Sequence, residues 1–354
     1  MPSEPAPYTL TDPFPADVFH RRHPKLIQRL LDAHPYGPAQ RSALNALLDE
    51  SLHGVITPLA DPQWDRGHYG QAWASTPFLW AESYFYRRLL EAVDYFATGV
   101  DPFGPFKAAE LVDLSSFSWV SSSLSTEEAL TASLYGNRAD LGFQLLTAET
   151  SLHSQLVADD TAAVVEFLDR GPVRVNIVLD NAGRELISDL VLADHLLSHW
   201  FASSVVLHVK PYPYFVSDAT FTDVHDCLRR LRDVPGGVGD RLHSAAAKGT
   251  LLVRTHPFHV APLSFADMPG DLAADLGEGL TIFKGDLNYR RLVGDLAWEP
   301  TTSFREVVSY LPGPAVALRI LKSDVVVGAD PARLPGYEAG WRTSGNYAMV
   351  SAAI

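Results

Sequence analysis

The second part of the chain alternates between two hydrophobic rhythms, and this alternation constrains the fold more than any other feature of the sequence. After about residue 155, short apolar runs rich in β-branched residues alternate with segments whose apolar positions recur at intervals of three and four. The predicted strands are Val173 to Leu179, Ser204 to Val209, Thr250 to Arg254, Leu280 to Phe283, Ala315 to Leu318, Asp324 to Val327 and Tyr347 to Ala352. The predicted helices between them are Arg184 to Phe201, Phe221 to Leu231, Asp240 to Ala247 and Leu287 to Gly294. This repetition predicts an α/β fold in which a mainly parallel sheet is covered by helices.

The first part of the chain has a helical pattern instead. Phe78 to Phe96 predicts an amphipathic helix, because its apolar residues are interleaved with charged ones at helical spacing. A second helix is predicted from Thr126 to Tyr135, with Ser125 as its N-cap. The change of period divides the chain into a helical N-terminal part, residues 1–150, and an α/β/α domain, residues 151–354.

Charge and cysteine content narrow the possible partners and the compartment. The chain has 28 Lys and Arg against 42 Asp and Glu, a net charge of −14, and such a surface repels phosphate backbones and anionic lipids. We therefore predict neither nucleic acid nor a membrane as a partner. We expect any anionic substrate to be attracted by a bound cation, a helix N-terminus or a few Lys and Arg side chains at the site. The single cysteine, Cys227, excludes an internal disulfide and fits the cytoplasm. Neither a secretory signal nor a transmembrane run of about 18 apolar residues is predicted.

Polar residues that directly follow predicted strands are the first candidates for a functional site, because ligands of open α/β sheets bind beyond the carboxyl ends of the strands. Asp180 and Asn181 follow one strand, and Asp218 follows the next strand along the chain. Two carboxylates and an amide oxygen are hard ligands suited to Mg²⁺ or Mn²⁺ and acceptable to Co²⁺. A helix that begins at Gly183 would point free N–H groups at the same place. The alternative interpretation is that these residues only cap helices.

A third strand is followed by Lys284, Gly285 and Asp286. In a functional interpretation, Asp286 and Asn288 bind substrate hydroxyls, and Arg290 grips a phosphate. In a structural one, Asp286 caps the helix and Gly285 supplies the turn.

Several other patterns are weaker indications of function. His195 and His199 have the spacing of a metal pair, but they share a helix stripe and no Glu follows His195, so a structural role is favoured. His256 and His259 lack any spacing motif. The glycines at residues 236–239 do not follow a strand and predict a turn, and no G-x-S-x-G elbow is present.

The same segments resemble the damage-control phosphatase family, the ARMT type of metal-dependent phosphatase that was formerly catalogued as a domain of unknown function. Three segments carry the resemblance: Leu179-Asp180-Asn181-Ala182-Gly183-x-Glu185, His208-x-Lys210-Pro211-x-Pro213-x-Phe215-Val216-Ser217-Asp218 and Lys284-Gly285-Asp286-Leu287-Asn288-Tyr289-Arg290. Weaker similarities lie at residues 80–88, 136–141 and 319–322. All of them occur in family order between about residues 77 and 350.

The resemblance implies a helical N-terminal part packed on a three-layer α/β/α domain and a phosphatase that acts on small phosphorylated metabolites such as sugar phosphates. It implies a divalent metal, Mn²⁺, Mg²⁺ or Co²⁺, held by Asp180, Asn181 and Asp218, with Lys322 as a further catalytic residue. It also implies a substrate pocket formed by the residues Glu185, Asp286, Leu287, Asn288, Tyr289, Arg290 and Lys322. Ile320 and Asn346 depart from the family pattern by removing a hydroxyl and a cation, which bears on the substrate range.

The expected chemistry is hydrolysis of a phosphate monoester, in which a metal activates water while Lys322 and Arg290 neutralise the developing charge. Asp218 could also orient that water, and Glu185 is a second candidate base. Two alternatives remain open. One is a carboxyl methyltransferase that uses S-adenosylmethionine, although the segment after the strand has one glycine where several are expected. The other is a metabolite-binding or repurposed family member.

Overall fold

The computed structural model describes residues 5–112, 117, 124–136, 155–336 and 340–354. Helices account for the regular structure of its N-terminal part. They are α1 (Pro13–Asp17), a π-helical turn (Val18–Arg22), α2 (His23–Ala33), α3 (Pro38–His53), α4 (Phe78–Ala92), α5 (Tyr95–Thr98), α6 (Gly104–Ala109) and α7 (Thr126–Leu134), with 3₁₀ turns at Pro62–Trp64 and Trp73–Ser75. The predicted boundary near residue 150 lies outside the described residues and stays a prediction.

Strands and helices alternate in the second part, as the sequence predicts. The strands are β1 (Leu156–Asp159), β2 (Val173–Val178), β3 (Ala202–Val209), β4 (Leu251–Thr255), β5 (Leu280–Lys284), β6 (Ala315–Ile320) and β7 (Ala348–Ala353). The helices are α8 (Thr161–Asp169), α9 (Gly183–Ser198), α10 (Phe221–Leu231), α11 (Val238–Lys248), α12 (Gly270–Gly277), α13 (Gly285–Val293) and α14 (Phe304–Val307). Short 3₁₀ turns lie at Pro257–Val260, Phe265–Asp267 and Pro331–Arg333.

The seven strands form one sheet in the order β1-β7-β6-β5-β2-β3-β4. Five neighbouring strands, from β6 to β4, run parallel, whereas β7 is antiparallel to β6 and β1 is parallel to β7. The chain moves outward from β2 through β3 to β4 and then returns to the other side of β2 as β5. This reversal opens a crevice at the carboxyl ends of β2 and β5.

Each face of the sheet has its own apolar core. On one face, Val175 and Ile177 of β2 pack with apolar residues of α7 and α9; on the other, Val178 and Phe283 pack with Leu292 of α13. The central strands are therefore buried on both faces, which explains their continuous apolar runs. A third core holds the N-terminal helices together and includes Leu287 of α13. The expected α/β/α architecture is confirmed.

Three of the predicted elements differ from the observed ones by more than two residues. The helix predicted from Arg184 to Phe201 ends at Ser198, because Trp200 adopts a left-handed conformation with φ of 62°. The predicted strand from Asp324 to Val327 is wrong: Val325 and Val327 are buried, but side chains of Arg319 and Tyr289 satisfy their backbone groups in place of a neighbouring strand. The helix predicted to reach Phe96 ends at Ala92, because Asp94 adopts a left-handed conformation with φ of 60°. In the second part of the chain, strand β1 and helices α8, α12 and α14 were not predicted. The N-cap at Ser125 is confirmed as a capping box with Glu128.

No helix of the described ranges has the length and apolar character needed to cross a membrane.

Candidate active site

The loops after β2 and β3 are fastened to each other beyond the edge of the sheet. Asn181 and Asp218 face each other in an isolated antiparallel bridge. The Ala182 N–H donates to the Ser217 carbonyl oxygen at 2.6 Å, and the Ala219 N–H donates to the Asp180 carbonyl oxygen at 2.8 Å. Main-chain hydrogen bonds thus bring the predicted trio of Asp180, Asn181 and Asp218 together.

Gly285, the first residue of α13, leaves room for the Asp180 side chain. A Cβ atom at this position would lie 1.8 Å from Oδ2 of Asp180, and the φ of Gly285 is +81°, a value that favours glycine. The carboxylate of Asp180 therefore sits against bare backbone, at the point where β5 turns into α13.

Asn288 connects the ends of two central strands. Its Nδ2 donates to the carbonyl oxygens of Leu179 at 3.1 Å and Lys284 at 2.8 Å, and more weakly to that of Val178 at 3.3 Å. Its Oδ1 is buried and accepts no hydrogen bond from the described part of the chain. Asn288 therefore fixes the strand ends beneath the site rather than lining the cleft above it.

Asp180 lies near two other carboxylates, and the lysines around them balance their negative charge only in part. Burial, together with the neighbouring carboxylates of Glu185 and Asp218, raises the pKa of Asp180 well above its usual value, and Lys210 and Lys322 offset this only in part. The Asn181 Nδ2 donates to Oδ2 of Asp180 at 3.0 Å and to Oε2 of Glu185 at 2.8 Å. A bound cation would supply the missing charge, so the electrostatics of these residues fit a metal site.

The side chains of Asp180, Asn181 and Asp218 carry the donor atoms that a metal ion at this position would use. Within the residues that the structure describes, no three His, Cys, Asp or Glu side chains are grouped as a metal site. The Asn181 amide is a further candidate donor, because a half-turn of that amide would present Oδ1 in place of Nδ2. Two carboxylates and one amide oxygen suit a hard divalent cation.

A cleft of about 490 Å³ lies above the carboxylates, between them and the N-terminal helices. Seven of the residues singled out from the sequence line it: Asp180, Asn181, Asp218, Asp286, Leu287, Arg290 and Lys322. Glu185, Asn288 and Tyr289 are not among its lining residues. Tyr289 is buried with its hydroxyl bonded to the backbone of Val327, and Glu185 accepts a hydrogen bond from Asn181.

Arg290 lines the cleft, but its charge is already matched. It donates from Nε and Nη2 to the two carboxylate oxygens of Asp295 at 2.8 and 2.9 Å, and from Nη1 to Glu82 at 2.7 Å. All three side chains are buried. Because two carboxylates surround one guanidinium, Arg290 joins α13 to α4 and has no spare positive charge for a phosphate.

Asp286 positions the loop that carries Lys322. Its Oδ1 accepts hydrogen bonds from Arg319 Nε at 2.8 Å, from the Lys322 backbone N–H at 3.1 Å and from the Ser323 hydroxyl at 3.1 Å. Burial alone would raise the pKa of Asp286, but Arg319 and Arg290 outweigh it and hold the pKa below its usual value. The Lys322 side chain is exposed in the cleft and forms no ion pair with another described residue.

Sequence reasoning missed the opposite wall of the cleft. Val18, Arg22, Lys25, Leu26 and Arg29 of the π-helical turn and α2 line it. Their spacing of four, three, one and three residues puts them on one helical face. The cationic character of that face was visible in the sequence, but nothing local showed that it meets the strand ends.

The histidines considered from the sequence lie apart from this cleft. His195 contacts the Thr126 hydroxyl at 3.1 Å through Nε2, and its ring lies 4.3 Å from that of His199. His259 is buried, with its ring 5.7 Å from that of His208. His195, His199, His256 and His259 are all absent from the cleft lining.

Comparisons with known proteins agree on one family. A model of the damage-control phosphatase ARMT1-like domain matches residues 18–334. Damage-control phosphatase ARMT1 of Danio rerio is 31% identical over 343 residues, covering 81% of this chain and 76% of the relative. The Xenopus laevis relative of the same name is 32% identical and covers 83% of this chain and 82% of its own length. The Bos taurus relative is 33% identical, with coverages of 78% and 74%.

The fold also matches a solved structure. The crystal structure of a DUF89 family protein from Pyrococcus horikoshii superposes with a TM-score of 0.51, covering 88% of this chain and 95% of that one. At 15% sequence identity, this likeness speaks for the fold alone.

Proposed function

The chain belongs to the damage-control phosphatase family with an ARMT1-like domain, and on that premise we propose that it is a divalent-metal-dependent phosphomonoesterase. Its proposed substrates are small phosphorylated metabolites of the sugar-phosphate class, and its proposed compartment is the cytoplasm. One observation carries the proposal: buried carboxylates, whose negative charge nearby lysines balance only in part, open into a cleft that also holds Lys322, which forms no ion pair with another described residue.

Asp180, Asn181 and Asp218 are the proposed ligands of a divalent cation, for which Mg²⁺, Mn²⁺ and Co²⁺ are the candidates. When bound, such a cation polarises a phosphoryl oxygen and makes water more acidic. The anionic phosphate is thereby attracted into a protein whose net charge is −14.

Lys322 is the proposed contact for the charge that develops on the phosphoryl oxygens. Its ammonium group is exposed in the cleft, and the hydrogen bond from its backbone N–H to Asp286 holds the loop in place. Hydrolysis of a phosphate ester needs charge stabilisation and positioning more than covalent chemistry, and Lys322 supplies both.

Asp218 lines the cleft and is the proposed group that orients the attacking water. Its Oδ2 accepts the Phe215 N–H at 2.9 Å, which fixes the carboxylate. Glu185 lies outside the cleft lining and accepts from Asn181, so we assign it the positioning of that amide rather than the role of a base.

Two variants distinguish the proposed metal ligand Asp180 from the proposed phosphate contact Lys322. Asp180→Ala should lose the metal, because two remaining protein ligands hold a hard cation poorly against water. Lys322→Ala should keep the metal and lose ~100-fold in kcat, as expected when a preorganised contact to the transition state is removed. Lys248→Ala, which removes an exposed cation outside the cleft, is the matched control.

The measurements are metal content after dialysis and hydrolysis of a panel of sugar phosphates with Mg²⁺, Mn²⁺ or Co²⁺. Full turnover in excess chelator would refute the metal requirement. Stoichiometric metal in Asp180→Ala, or the parent rate in Lys322→Ala, would refute the assignment of that residue.

A further inference from the structure

One wall of the cleft carries a row of cations on a single helical face. Arg22, Lys25 and Arg29 are spaced by three and four residues, and all three side chains line the cleft. His23 lies between the first two and is buried with its ring stacked on Phe85 at 3.8 Å, which anchors this helix to the N-terminal core. The row therefore sits on a fixed element.

Two of these three cations have no carboxylate partner among the residues that the structure describes. Arg22 donates from Nε to Asp17 at 3.0 Å, and it shares that carboxylate with Arg21, whose Nη1 lies 3.4 Å from Oδ1. Lys25 and Arg29 are exposed, and neither forms an ion pair with a carboxylate in the described ranges. The Arg29 guanidinium lies 4.3 Å from the centre of the Phe106 ring, a contact that orients the side chain and leaves its charge available.

The phosphate to be hydrolysed does not account for Lys25 and Arg29. In the proposed function, that phosphate is held at the strand ends by the cation of Asp180 and by Lys322. Lys25 and Arg29 belong to the other wall, on α2, and they add two positive charges to a cleft of about 490 Å³. In a chain with an excess of 14 negative charges, two cations inside a cleft that no described carboxylate pairs indicate an anionic ligand group.

We propose that Lys25 and Arg29 bind a second anionic group of the substrate. The preferred substrate class is then a phosphorylated metabolite that carries, at its far end, either another phosphate or a carboxylate. Lys and Arg both recognise these groups through charge-assisted hydrogen bonds. This inference rests on the proposed function, because it assumes that the first phosphate lies at the strand ends.

A matched set of substrates tests the inference. The kcat/KM values of a hexose bisphosphate, a phosphorylated sugar acid and a hexose monophosphate are compared in the parent and in Lys25→Ala/Arg29→Ala. The double variant should lower the ratio of bisphosphate to monophosphate kcat/KM by ~10-fold, since two exposed charge-assisted contacts are lost. The sugar acid shows whether the second group is a carboxylate or a phosphate. Arg66→Ala/Lys248→Ala, which removes one exposed arginine and one exposed lysine outside the cleft, should leave the ratio as in the parent.

Binding of non-hydrolysable phosphonate analogues keeps the inference separate from the proposed function. In the parent, calorimetry with Mg²⁺ should show tighter binding of a bisphosphonate than of the matching monophosphonate, and the double variant should lose that preference. Loss of the preference in a protein that hydrolyses no phosphate ester would support the anion site and refute the phosphatase. An equal preference in the parent and the double variant, or none in the parent, would overturn the inference even in an active phosphatase.

Discussion

Replacing Gly285 by alanine tests whether the position of Asp180 is what the site depends on. The added Cβ would lie 1.8 Å from Oδ2 of Asp180, whereas ordinary van der Waals contact begins at 3.4 Å. The carboxylate therefore has to move by about 1.6 Å. Protein metal ligands keep their distances within ~0.2 Å of the ideal value, so a shift of this size removes Asp180 from any ligand set.

The same substitution also introduces backbone strain, which needs its own control. A left-handed conformation costs a residue with a Cβ roughly 1–2 kcal/mol. Gly294→Ala, at the other end of the same helix, has a φ of +82° and would add the same strain, but its Cβ meets only Leu296 at 3.4 Å. Gly285→Ala should thus lose at least as much free energy of unfolding as Gly294→Ala, because its Cβ also overlaps Asp180, and only Gly285→Ala should lose activity, by ~100-fold or more in kcat/KM.

The assays are urea denaturation for stability, calorimetric titration with Mn²⁺ for metal affinity, and hydrolysis of the best sugar phosphate for activity. If Gly285→Ala binds Mn²⁺ as the parent does and keeps kcat/KM within threefold, the contact between Gly285 and Asp180 does not shape the site. If Gly294→Ala loses metal affinity to the same extent, strain in α13 explains the result instead.

Two further predictions concern buried charge. Arg290→Met leaves Glu82 and Asp295 without their shared cation, so urea denaturation should show a loss of about 3–5 kcal/mol in the free energy of unfolding. An unchanged stability combined with a raised KM would instead assign Arg290 to phosphate binding. Burial lowers the pKa of His23 to about 3, so between pH 6.5 and 3 the unfolded chain binds a proton that the folded protein excludes, and stability falls as the pH falls. His23→Phe, which preserves stacking on Phe85, should reduce the slope of unfolding free energy against pH in that interval by up to ~1.4 kcal/mol per unit, and an unchanged slope would contradict this.

The grouping of Asp180, Asn181 and Asp218 could be predicted because it follows from topology. Neighbouring parallel strands end at one edge of a sheet, so polar residues that come directly after β2 and β3 have to meet there. To predict this grouping, only the ends of the strands had to be located, and the apolar β-branched runs in the sequence locate them.

The environment of Arg290 could not be predicted in the same way. Its partner Glu82 is 208 positions away in sequence, in a helix of the other part of the chain. No local pattern shows such a pairing, and an isolated arginine beside a candidate site looks like a free phosphate ligand. The position of the α2 cations in the cleft was missed for the same reason. The spacing of Lys25 and Arg29 defines a helical face, but it does not show which surface lies opposite that face.

The valines at 325–327 show a second limit of prediction from the sequence, which is that a buried apolar run need not be a strand. Their side chains are as buried as those of the central strands, and the sequence pattern reports that burial. The backbone partners come from Arg319 and Tyr289, which no hydrophobic pattern encodes.

The bridge between the loops after β2 and β3 is made of main-chain atoms: the N–H groups of Ala182 and Ala219 and the carbonyl oxygens of Ser217 and Asp180. Mutation replaces side chains and leaves such hydrogen bonds available. The side chains at 180, 181 and 218 can therefore be exchanged during divergence while the frame that presents them persists. Proteins that diverge from a common ancestor can thus change the chemistry presented at this edge of the sheet without first rebuilding the loops.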